Sequence, residues 1–135
     1  MYYSKCCEVS YDEVNNVVFV KWKQFCCGEA YRMPLEEAIR IMSENDDCHY
    51  VADTRDGFED EAEDTKWVTD VFSKRAYQVG CRYIFFIIDA NNTLKEELEG
   101  QTTELSKLFT VKAFYSMDEI AEYLKSERAK NATKQ

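Results

Sequence analysis

One charged stretch, residues 53–64, holds the side chains of this sequence that are best suited to chemistry. Asp53 could act as a general acid or base, and Thr54 offers a hydroxyl for phosphorylation beside the cationic Arg55. Five of the six residues from Glu59 to Asp64 are acidic. We therefore take Asp53, Thr54 and Arg55 as candidate site residues, and we interpret the acidic run as a solvated connection that leads into a helix.

Other chemistries lack a residue that they need. Asp53 could share a cation with Asp56, Glu59 or Asp60, but the ligand spacing of a calcium-binding loop is absent, so neither a metal nor a cofactor is predicted. No glycine-rich loop with a lysine is present to hold a phosphate. The single histidine, His49, should begin a strand at the opposite end of the sheet. It is therefore interpreted as structural and not as part of a catalytic triad.

The six cysteines include two adjacent pairs, of which Cys7 belongs to the first and Cys26 and Cys27 form the second. Neighbouring residues of a strand point to opposite faces, so one pair cannot easily share a metal ion. The predicted hairpin brings Cys7 close to Cys26, which makes a contact or a redox-dependent disulfide an option. Cys27, in a loop, is the thiol best placed to react. Cys48 and Cys81, each next to a strand start, are interpreted as structural.

Length and composition indicate one domain with one core, since the chain has 135 residues and 45% of them are hydrophobic. We predict a single domain over residues 1–135, with its core in 1–126 and a polar, frayed tail in 127–135. The formal net charge of −9 argues against nucleic acid as a partner and against binding to an anionic membrane surface. No signal-like N-terminus and no apolar segment long enough to span a bilayer is apparent, so a cytoplasmic location is expected.

Two strands open the predicted fold. Residues 3–11 alternate between apolar and polar side chains, and residues 17–22 are mostly apolar. Asn15-Asn16 predicts a two-residue hairpin turn between them, because asparagine tolerates positive φ. That turn would place Val9 opposite Trp22.

Beyond the hairpin, segments with the apolar spacing of helices alternate with short apolar strands. The first helix should begin close to Pro34, which is tolerated only near a helix start. Two capping boxes, Thr93 with Glu96 and Ser116 with Glu119, mark the starts of the last two helices. The remaining predicted strands are 49–53, 82–88 and 110–115.

The resulting order, β-β-α-β-α-β-α-β-α, predicts an α/β fold. It has a mainly parallel five-stranded sheet, an antiparallel N-terminal edge strand and four helices. In such sheets, ligands bind beyond the carboxyl ends of the strands. The residues expected to form a ligand or partner site on that rim are Asp53, Thr54, Arg55, Phe58, Trp67, Asp89, Asn91 and Asn92.

Several stretches, taken in order, resemble the SpoIIAA-like group of STAS domains, which is often labelled STAS or Sec14-like. They are VVFVKWK, YVADTRDGFED, DTKWV, GCRYIFFIID and SMDEIAEYL. The resemblance covers about residues 2–124 and implies the same α/β fold. STAS antagonists of anti-sigma factors are phosphorylated at a hydroxyl after the third strand, and in this chain Asp53-Thr54 matches that motif while Arg55 replaces the second hydroxyl residue. The resemblance thus implies Thr54 as a phosphosite, and the Sec14-like relatives imply an apolar ligand.

Four hypotheses about function follow, of which the last is a thiol-redox role for Cys27. The first is a non-catalytic cytosolic binding or regulatory module whose carboxyl-end loops hold a protein partner or a small apolar or anionic ligand, because no complete catalytic set is present. The second is a phospho-switch at Thr54. The third is a small enzyme that uses Asp53 and Asp89 as acid and base. The exposed edge of the first strand also allows a homodimer.

Overall fold

A computed structural model of the chain describes residues 2–3, 7–23, 28–55, 62–88 and 105–133. Its strands form one sheet in which neighbours in sequence are neighbours in space. They are β1 (Tyr2–Tyr3), β2 (Cys7–Asp12), β3 (Val17–Trp22), β4 (His49–Asp53), β5 (Tyr83–Ile87) and β6 (Thr110–Phe114). The first three strands pair antiparallel, and β3 to β6 run parallel. The predicted α/β class and mainly parallel sheet are confirmed, and the short β1 adds to the outer side of β2.

The described helices are α1 (Glu29–Glu44), α2 (Ala62–Trp67), α3 (Ser73–Gln78) and α4 (Met117–Thr133). A π-helical turn, Val68–Phe72, joins α2 to α3, so these two form one helical segment. Gly80, at φ 106°, follows that segment, and glycine adopts this conformation without strain. The helix predicted to start at Thr93 lies outside the described residues, so the predicted number of four separate helices is not established.

Helix α1 begins earlier than expected, because Pro34 lies inside it and not near its start. The carbonyl of Gly28 accepts hydrogen bonds from the backbone N–H groups of Tyr31 (3.1 Å) and Arg32 (3.0 Å), which forms a first turn upstream of the proline. Gly28 has φ 59°, a conformation that glycine adopts without strain. Pro34 removes one helical hydrogen bond, and it is buried in the folded protein.

The hairpin between β2 and β3 has a different register from the predicted one. Val9 pairs with Val20 and not with Trp22, because the connecting loop has four residues instead of two. The side chain of Asp12 closes this longer loop by accepting hydrogen bonds from Asn15 N (3.1 Å) and Nδ2 (2.8 Å). Since the shift is two residues, every side chain keeps its predicted face.

Both faces of the sheet are covered. On one face, α1 and the α2–α3 segment bury the larger core, which includes Trp22, Leu35, Met42, Phe72 and Ile84. On the other face, α4 buries a smaller core with Val17, Val51, Phe85, Ile87, Ile120 and Leu124. Burial on both sides explains why the parallel strands β4 and β5 have nearly continuous apolar sequences.

The C-terminal residues predicted to be frayed are helical as far as Thr133. Ile120 and Leu124 anchor the first half of α4 on the sheet. Further along, the guanidinium of Arg128 donates a hydrogen bond to the carbonyl of Asn15 in the β2–β3 loop. This contact places the polar half of α4 at the amino ends of the parallel strands.

Candidate functional site

The carboxyl ends of the parallel strands lie together at one end of the sheet, here called the carboxyl edge. There, Asp53 ends β4 and forms an ion pair with Arg55. The carboxylate accepts hydrogen bonds from Arg55 Nε (3.0 Å), Nη2 (2.8 Å) and backbone N (3.1 Å). This is a local turn, in which an aspartate binds the backbone two residues onward. The side chain of Asp53 is 3% exposed, whereas that of Arg55 is 44% exposed.

The ionisation of Asp53 follows from its surroundings. Burial alone would raise its pKa, but the hydrogen bonds and charge of Arg55, helped by Lys21, lower the pKa below its ordinary value. Lys21 lies opposite Asp53 in the pairing of β3 with β4. Asp53 is therefore a carboxylate at neutral pH, bound to a guanidinium.

Thr54, the predicted phosphosite, is fully buried. Its Oγ1 donates a hydrogen bond to the carbonyl of Ile87 (2.8 Å), and its backbone N donates to the same oxygen (2.9 Å). The hydroxyl thus holds the end of β4 against the end of β5. A kinase could reach it only after this end of the sheet opened.

A second buried carboxylate, Asp64, corrects the interpretation of the acidic run as wholly solvated. Asp64 is 2% exposed, and it accepts hydrogen bonds from Gly28 N (3.0 Å) and Arg32 Nε (3.1 Å). Asp64 thus satisfies the backbone N–H of Gly28, the N-cap residue of α1. Gly28 has no side chain that could cap the helix itself. Because its partner Gly28 is 36 positions away, no local sequence signal pointed to this contact.

Trp67 belongs to this second group of contacts. The guanidinium of Arg32 lies 5.7 Å from the centre of the Trp67 ring, and Trp67 packs against Phe72 at a centroid distance of 6.3 Å. Trp67 is therefore half-buried beside an arginine whose side chain is 38% exposed.

Of the remaining predicted site residues, only Cys7 lies within the described parts of the chain. Cys7 is buried at the start of β2. The other candidates on the rim and among the thiols lie outside the described residues, and they are Cys26, Cys27, Phe58, Asp89, Asn91 and Asn92.

At the opposite end of the sheet, where the parallel strands begin, the structure has a cleft that the sequence did not suggest. This end is called the amino edge. The volume of the cleft is about 540 Å³, and His49, Arg82 and Arg128 are among the residues that line it. His49 begins β4 as predicted, and its Nδ1 accepts a hydrogen bond from the backbone N of Arg82 (3.3 Å). Burial and then the charge of Arg128 lower the pKa of His49 to about 4. Sequence reasoning missed the cleft because Arg128 was assigned to a frayed tail.

Comparison with known proteins does not assign a function, so a functional proposal for this chain rests on the geometry of its candidate sites. A scan against protein-family models, a search of curated proteins and a search of solved structures each found no match to the chain. Among the described residues, no three His, Cys, Asp or Glu side chains are grouped in a way that could hold a metal ion. Likewise, none of the described helices has both the length and the apolar character that crossing a bilayer requires.

Proposed function

We propose that this protein is a non-catalytic binding or regulatory module of STAS-like type, which uses the carboxyl edge of its sheet to hold a protein partner or small ligand with anionic groups. One observation carries the proposal. Two carboxylates at this edge, Asp53 and Asp64, are buried and bound by arginines and backbone N–H groups, while Arg55 and Arg32 remain 44% and 38% exposed. A molecule that approaches this edge meets guanidinium groups, which bind carboxylates and phosphates well.

The state of Asp53 favours binding over acid–base catalysis. A general acid or base works best when its pKa lies near the operating pH, whereas the pKa of Asp53 is lowered. The enzyme alternative also needs Asp89, which lies outside the described residues, so that part of it rests on the sequence alone. The phospho-switch alternative needs the buried Thr54 hydroxyl to become accessible.

Titration with defined anions tests the proposal. The probes are acetate, inorganic phosphate and a short acetylated glutamate peptide, and the signals are the Nε–H resonances of Arg32 and Arg55 in ¹H–¹⁵N NMR spectra. We expect a saturable shift of both resonances, and we expect Arg55→Gln to weaken binding about tenfold, the effect of losing one charge-assisted hydrogen bond. Arg75→Gln is the matched control, because Arg75 is similarly exposed at 42% but pairs with the exposed Glu36.

Two results would contradict the proposal. The first is equal binding of the probes by the Arg55→Gln and Arg75→Gln variants. The second is turnover of a defined small substrate that Asp53→Asn abolishes, which would favour the enzyme alternative. The homodimer and the cytoplasmic location stay predictions, and sedimentation analysis of the purified protein would test the first of them.

A further inference from the structure

The cleft at the amino edge has the size of a small-molecule site. Its volume of about 540 Å³ lies within the range of roughly 300–1,000 Å³ that is typical of ligand pockets. It is formed where the β2–β3 loop, the turn before β4, the start of β5 and the second half of α4 come together. It lies at the opposite end of the parallel strands from the Asp53–Arg55 pair, so it is a separate site.

The cleft is lined by both positively and negatively charged side chains, and its described arginines and aspartates do not form ion pairs with one another. Arg82, Arg128, Asp46 and Asp47 all line it. Within the described parts of the chain, neither arginine forms an ion pair with a carboxylate, and neither aspartate pairs with a cation. The third acid, Glu127, has Lys130 at 3.6 Å. The cleft thus presents two guanidinium groups and two carboxylates that remain available for a ligand.

Arg82 is held in place before any ligand arrives. Its Nη1 donates hydrogen bonds to the carbonyls of Tyr77 and Cys81, each at 2.8 Å, and its guanidinium lies 3.8 Å from the centre of the Tyr77 ring. A side chain that is already ordered loses little conformational entropy on binding. Arg128 is likewise tethered through its hydrogen bond to the Asn15 carbonyl.

His49 and two apolar side chains complete the lining. Because His49 Nδ1 accepts a hydrogen bond, the proton of the neutral imidazole is on Nε2, which is a donor. Tyr83 packs edge-on against the His49 ring at a centroid distance of 4.7 Å. Tyr83 and the buried Leu124 supply apolar surface beside these polar groups.

We propose that this cleft binds a small dipolar molecule that carries both a carboxylate and an ammonium group, the chemistry of a free amino acid or a short peptide. Arg82, Arg128 and the His49 Nε2–H bind the carboxylate, and Asp46 and Asp47 bind the ammonium group. A simple anion is repelled by the two aspartates, and a simple cation is repelled by the two arginines. A molecule with both charges matches both pairs.

The single histidine makes the test direct, since its imidazole signal in NMR spectra of the full chain is unambiguous. The probes are trialanine and the common free amino acids other than histidine, whose own imidazole would add a second signal. For the amino acid that binds best, the next probes are its amide, which lacks the carboxylate, and its deaminated acid, which lacks the ammonium group. We expect a saturable shift of the His49 signal with the dipolar probe, and binding at least about tenfold weaker for both singly charged analogues.

Three variants check the assignment of the groups. Arg128→Gln should weaken binding of the dipolar probe about tenfold, and Lys125→Gln, an exposed change on α4 outside the cleft, should leave it unchanged. Asp47→Asn should weaken the dipolar probe but not the deaminated acid. Asparagine also tolerates the φ of 59° at this position, so the backbone is preserved.

Each outcome decides the proposal. If free amino acids shift the His49 signal and trialanine does not, the proposal is supported and the ligand is a free amino acid. If only trialanine shifts the signal, the proposal is supported and the ligand is a short peptide. An equal affinity for the deaminated acid overturns it in favour of an anion site. The absence of any His49 shift with trialanine and all the amino acids tested, up to their solubility limits, also overturns it.

Discussion

Replacing Arg55 with glutamine should destabilise the protein far more than the same change at Arg75. The two arginines are almost equally exposed, at 44% and 42%, but Asp53 is 3% exposed and Glu36 is 45% exposed. Removing one partner of a wholly buried ion pair costs about 3–5 kcal/mol, and the exposure of Arg55 reduces this to roughly 2 kcal/mol. For the surface pair of Arg75, the expected loss is about 0.5 kcal/mol or less.

The loss of stability in the Arg55→Gln variant should depend on pH in a defined direction. The pKa of Asp53 is lowered in the folded protein, so the stability from its ion pair is present above the ordinary aspartate value of about 3.9 and disappears as pH falls through the folded-state pKa. In Arg55→Gln, the burial that raises the pKa of this carboxyl is opposed only by the backbone N–H of residue 55 and by the charge of Lys21. The difference between wild type and Arg55→Gln should therefore be full at about pH 7 and shrink on acidification to about pH 4 and below.

Urea unfolding followed by tryptophan fluorescence measures these free energies, with Arg75→Gln treated in parallel at each pH. Equal losses for the two variants would show that the burial of Asp53 does not determine the strength of its ion pair. A loss at Arg55 that stays constant between neutral and acidic pH would show that the carboxylate charge is not involved. Either result would refute the reasoning.

Three further predictions concern buried polar groups. Thr54→Val removes the hydrogen bond from the hydroxyl to the Ile87 carbonyl, while the bond from the backbone N–H of residue 54 to that carbonyl remains. Urea unfolding should therefore show a loss of about 1 kcal/mol in the free energy of unfolding, and an unchanged midpoint would contradict this. The His49 signal should titrate near pH 4 in NMR spectra, as burial and Arg128 lower its pKa. Because the unfolded chain takes up this proton first, stability should fall between about pH 6.5 and pH 4, and a midpoint near 6.5 would show that the ring is solvated. Burial raises the pKa of the Cys48 and Cys81 thiols to about 11 and about 12, so iodoacetamide should modify both only in denaturant, and native labelling detected by mass spectrometry would contradict their burial.

Local patterns predicted the elements whose stabilising contacts are themselves local. The capping box at the start of α4 is an example, since the backbone N of Glu119 donates to Ser116 Oγ (3.3 Å) and the Glu119 carboxylate accepts from Tyr115 N (2.9 Å). The Asp53–Arg55 pair is also local, since its partners are two positions apart, but the sequence indicated only that both were candidate site residues and not that they would pair. The apolar runs of β4 and β5 likewise indicated buried strands.

Sequence reasoning was less accurate where two local solutions compete. Asn15-Asn16 suits a two-residue turn, but the hydrogen bonds from Asn15 to the Asp12 side chain favour a four-residue loop. Pro34 suits a helix start, but the carbonyl of Gly28 forms a first turn upstream of it. Both errors shifted boundaries by a few residues and left the order of the elements intact.

The order of the described strands and helices from β2 onward and the faces of the strands follow from the amino-acid sequence, since periodicity and short-range hydrogen bonds depend on neighbours within a few positions. The partners of Asp64 and the lining of the amino-edge cleft do not, because they come from loops and helices far apart along the chain. Their meeting depends on how the parallel strands align and on where α4 crosses the sheet. These are properties of the packed core as a whole, and only the folded arrangement determines which charges become neighbours.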